Sequence, residues 1–64
     1  MKISESKLFE NANYWLSQYE KTGKIDSLKN GLIAINDACD QAPWNSQYTD
    51  LRLKLEKELS LVSR

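Results

Sequence analysis

The chain has no histidine and a single cysteine, Cys39. The first absence removes the side chain most used as a general base near neutral pH. The second excludes a disulfide within the chain. One thiolate without histidine cannot complete a four-ligand zinc site. Proline occurs once, at Pro43, and glycine only at Gly23 and Gly31, so few points can interrupt regular structure. No apolar run approaches the ~20 residues of a membrane span. The opening stretch, MKISESKLFE, lacks the apolar core of a signal peptide. Neither sign of charge dominates. The net charge of the 64 residues is zero, with five Lys against four acids in residues 1–32 and four Lys and Arg against five acids in residues 33–64. No basic face of the kind nucleic acid requires stands out.

A lone thiol and no export signal lead us to expect a cytoplasmic protein. A chain that begins at Met1 is expected to be a complete small protein rather than an excised domain. A chain of this size buries only ~60% of its unfolded surface. With disulfides and metal set aside, it must rely on good helix packing or on self-association.

What is present is helical periodicity. In DSLKNGLIAINDACDQA, residues 26–42, Leu28, Leu32, Ile35, Cys39 and Ala42 form one apolar stripe. Gly31 and Ala38 lie along its edge. Glycine inside a helix loses roughly 1 kcal/mol of propensity against alanine, so Gly31 predicts that another helix passes close there. A first helix is expected over about 4–21. Its stripe is Leu8, Ala12, Trp15 and Tyr19, widened by Phe9 and Leu16, and Ser4 or Ser6 is its cap. A third is expected over about 46–62, with Tyr48, Leu51, Leu55, Leu59 and Val62 as its stripe. The breaks are Thr22-Gly23-Lys24 and Ala42-Pro43-Trp44-Asn45-Ser46. Gly23 suits the left-handed closure of a helix, and Pro43 disfavours helix in the residue before it. Asp26 or Ser27 should cap the second helix, and Ser46 or Asn45 the third. No segment alternates as a strand does. The fold expected is all-α, a single domain of three antiparallel helices packed as a small bundle or an open helical array. Its core should include Leu8, Trp15, Leu32, Ile35, Cys39, Leu51, Leu55 and Leu59.

The stretch from about Ala12 to Pro43 resembles a tetratricopeptide (TPR) unit, with the last segment as its capping helix. In one register Trp15 stands at the motif's first aromatic, Gly31 at its small residue, Ile35 at its large one and Pro43 at its closing proline. That register puts Gln18, Tyr19 and Thr22 where Leu, Gly and Tyr are usual. A second register aligns Tyr19 with the motif's tyrosine and Gly23 with the turn between helices. It loses the proline and puts Leu28 at the small position. The resemblance implies a scaffold that binds peptides or proteins. One unit cannot form the long concave surface of repeat arrays.

Catalytic chemistry has little to stand on. Cys39 sits on an apolar stripe and is expected to be a small buried hydrophobe rather than a reactive thiol. Glu56 and Glu58, two apart on a helix, do not face each other. Asp37 and Asp40 can share a face, but two carboxylates hold Ca²⁺ or Mg²⁺ weakly. No catalytic residue, cofactor or metal is expected. Lys21, Lys24 and Lys29 gather near the first turn, but Glu20 and Asp26 lie among them, so a solvated turn outweighs phosphate binding. Ile33, Leu53 and Tyr14 are apolar away from the stripes, which suggests a contact surface. Trp44, beside Pro43, either seals the end of the bundle or anchors a partner. The function expected is a small non-catalytic protein–protein interaction module with Tyr14, Ile33, Trp44 and Leu53 as its contacts. A structural homo-oligomer is the alternative, and a weak nucleic-acid binder a more distant one.

Overall fold

Two breaks cut the chain into three helices. The structure, a computed structural model, describes residues 3–62. α1 spans Glu5–Thr22, α2 Ile25–Gln41 and α3 Ser46–Val62, so every boundary lies within one residue of its expected place. The described residues are 87% helical and include no strand. The fold is all-α.

Gly23 closes α1 as its type predicts. Its φ is +72°, the left-handed region, and its backbone N–H donates to the Tyr19 carbonyl at 2.7 Å. The Thr22 hydroxyl reinforces the turn. It donates to the Gln18 carbonyl at 2.8 Å and accepts the Lys24 N–H at 3.3 Å. The chain re-enters helix sooner than expected. Lys24, not Asp26 or Ser27, occupies the cap position of α2, and no side chain caps that end. The reason is the brevity of the turn, which puts Asp26 and Ser27 inside the first turn of α2 and buries Ser27. Ser4 holds the cap position of α1, but its side chain makes no capping hydrogen bond.

At the second break Ala42 leaves the helical region, with φ −138° and ψ 69°, as the residue before proline should. The Asn45 side-chain oxygen accepts the Gln47 N–H at 3.0 Å, so Asn45 rather than Ser46 caps α3.

α2 is the central element. It packs against α1 and α3, and those two touch each other little. One direct link between them is the ring pair Phe9 and Tyr48, with centroids 5.1 Å apart. Because two helices lean on α2, its buried face is wider than the stripe. Ser27, Gly31, Ala34 and Ala38 are buried beside Leu28, Ile35 and Cys39. Leu28, Ile35 and Leu55 are the largest side chains with no exposure. Leu8, Ile35, Cys39, Leu51 and Leu55 are core residues as expected. Trp15, Leu32 and Leu59 are only half-buried, which corrects the expected core. The face of α2 extends from Ile35 toward Ala34 and Ala38, and Leu32 is left on its opposite margin.

All three helices meet at Gly31. A Cβ there would stand 3.3 Å from Trp15 Cβ, 3.4 Å from Leu55 Cδ1 and 3.5 Å from the Ala12 carbonyl oxygen. The close approach expected from the glycine is made by both neighbours of α2.

Candidate functional site

The groups that could carry chemistry are dispersed. Cys39 is a buried free thiol on the α2 core face. Asp37 and Asp40 are exposed on the opposite side of that helix. Among the described residues no group of three or more His, Cys, Asp or Glu is placed to hold a metal ion. Lys21, Lys24 and Lys29 are all exposed, as are Glu20 and Asp26 among them. Arg52 Nε lies 3.5 Å from Glu56 Oε1, a half-exposed pair one turn apart that contributes little. Burial of Tyr48, and secondarily the Glu5 carboxylate, push its phenol above the ordinary value of 10.0.

The four apolar contact candidates are all exposed: Trp44 by 78%, Ile33 by 68%, Leu53 by 56% and Tyr14 by 55%. Trp44 therefore does not seal the bundle. That end holds fully buried Ala42 and the Phe9–Tyr48 ring pair instead.

The structure does not gather the other three into one patch. Tyr14, Ile33 and Leu53 each lie opposite the buried stripe of a different helix. The stripes converge on one core, so the outward faces diverge. Tyr14 has one aromatic neighbour, Trp15, whose ring meets it edge-on at 5.1 Å.

Residues the stripes did not single out complete the picture. Ile3, Ile25 and Leu61 are exposed too. The Gln41 side-chain amide donates to the Ile3 carbonyl at 2.9 Å and ties the entry of α1 to the exit of α2. That end of the bundle thus presents Ile3, Pro43 and Trp44, while Ile25 and Leu61 belong to the other end. The signal for Leu61 was the one that marks Ile33, an apolar residue off the helix stripe, whereas Ile3 precedes α1 and has no helical phase.

No described helix is long and apolar enough to cross a membrane. No protein-family model matches the chain, and no curated protein or solved structure matches it.

Proposed function

We propose that this chain is a small non-catalytic protein–protein interaction module, an adaptor, co-chaperone or inhibitor-like accessory protein of the cytoplasm. The observation that carries the proposal is Trp44. A tryptophan 78% exposed, on a short loop held between two helices, offers a large apolar surface with little ordering cost on binding. Tryptophan is among the residues most enriched in binding hot spots. Ile3 and Pro43 extend the apolar surface at the same end. The reading includes a TPR-like hairpin with α3 as its capping helix. The first register supports this, since it places Gly31 at the small position where α2 approaches Trp15 of α1.

A second reading, a structural homo-oligomer, draws on the outward Ile33 and Leu53. Sedimentation of the purified chain over a concentration series separates the two. The first predicts a monomer that captures a foreign protein from its host lysate, and a Trp44→Ser variant that folds equally but no longer captures it. A mass that rises with concentration without any other ligand favours the second. Equal capture by parent and variant overturns the role given to Trp44.

A further inference from the structure

Between Asn30 and Leu51 the chain holds no lysine or arginine, yet it holds Asp37, Asp40 and Asp50. Asp37 and Asp40 are three apart on α2 and share an exposed face, where like charges repel. Neither side chain makes an ion pair or hydrogen bond with another described residue. Asp40 lies in the last turn of α2, where the helix dipole favours cations, and that turn contains no basic residue. The isolated fold thus gains nothing from either carboxylate where it stands. Ile33 lies one helical turn before Asp37, and Trp44 follows just beyond the end of the helix. These are the two most exposed large apolar side chains among the described residues.

We infer that the outer face of α2, from Ile33 to Trp44, docks a cationic segment of a partner protein. Two Lys or Arg side chains of the partner lie over Asp37 and Asp40, and apolar residues beside them cover Ile33 and Trp44. The cations supply the charge missing at this end of the helix. An arginine placed over the Trp44 ring gains a cation–π contact as well. A second copy docking through this same face would set aspartate against aspartate, which disfavours it. The inference rests on the interaction-module reading and adds the chemistry of the partner.

The test uses the full chain, ¹⁵N-labelled, and two synthetic amphipathic helical peptides, one of leucine and lysine and one with glutamate in place of lysine. The lysine peptide should shift amide resonances from Ile33 to Trp44, and added salt should weaken it. Asp37→Asn with Asp40→Asn should weaken it about tenfold, within the range for two exposed ion pairs. Glu10→Gln with Glu20→Gln, the same charge change on α1, should leave it unchanged. The aspartate double variant should also melt higher than the parent, so binding and stability move in opposite directions. The inference is overturned if the lysine peptide does not bind, shifts another face, binds no better than the glutamate peptide, or is weakened equally by both double variants. Calcium binding or self-association that shifts the same resonances in place of the peptide overturns it too. If Trp44→Ser still abolishes capture of a lysate partner while the aspartate variant does not weaken it, the interaction module stands and the cationic occupant falls.

Discussion

Replacing Gly31 by leucine sets a gain in helix propensity against a loss in packing, and the structure decides which is larger. The gain is about 0.8–1 kcal/mol, the difference between glycine and an ordinary helix former. The loss begins at the first added atom. A Cβ at this position already sits 3.3 Å from Trp15 Cβ and 3.4 Å from Leu55 Cδ1, one contact from each flanking helix. The Trp15 contact is to a Cβ, which cannot rotate away, so α1 and α2 must separate. The three further carbons of leucine must then find room where the Cβ alone already touches both flanking helices. Overpacking of this kind costs typically 1–3 kcal/mol and occasionally more. The expected net loss runs from near zero to about 2 kcal/mol, or up to roughly 16 °C in Tm for a domain this small. Gly31→Ala probes the boundary. Its single added carbon requires only a few tenths of an ångström of movement, so its net change should stay within about 1 kcal/mol of the parent. Urea unfolding followed by circular dichroism at 222 nm measures both variants. A Gly31→Leu protein more stable than the parent, showing the propensity gain without the packing loss, would refute the three-helix contact.

Three further expectations follow from burial. Leu28→Ala should cost on the order of 2–5 kcal/mol, and Leu32→Ala clearly less, because only Leu28 is fully buried; equal costs by denaturant titration would contradict the placement of the α2 face. Tyr48 keeps its proton more tightly folded than unfolded, so its contribution is whole below about pH 10 and is lost as pH rises through the higher folded value. Stability of the parent should therefore fall more steeply in alkali than that of Tyr48→Phe, and parallel declines would count against the effect. Ile33→Glu and Leu53→Glu should each stay within about 0.5 kcal/mol of the parent, as exposed positions do; unfolding of either would show that its helix faces the other way.

The helices were legible because each carries its own stripe and each break has a local cause. Gly23 and Pro43 act on the one or two residues around them, and those effects do not depend on the rest of the fold. The extent of burial was less legible. A stripe marks the centre of a buried face, but its width depends on how many neighbours lean on it. Ala34 and Ser27 are buried because α2 has two neighbours, which nothing in residues 26–42 states. Leu32 and Leu59 hold good stripe positions yet only pack against the core as partly buried residues. For the candidate site, exposure of Ile33, Leu53 and Tyr14 followed from helical phase, but phase within one helix cannot tell whether residues on different helices point the same way. They do not. Trp44 stands outside any periodic segment, so periodicity said nothing of where its ring goes.

The central placement of α2 also bears on how quickly the chain finds its structure. Each outer helix meets chiefly the one next to it in sequence, across a connection of only a few residues. Most native contacts are then local in sequence, the condition under which small helical proteins fold within microseconds to milliseconds. The direct bridge from α1 to α3, Phe9 with Tyr48, closes the longest loop among the ring contacts. A late-forming contact of that kind should slow unfolding and leave the folding rate almost untouched.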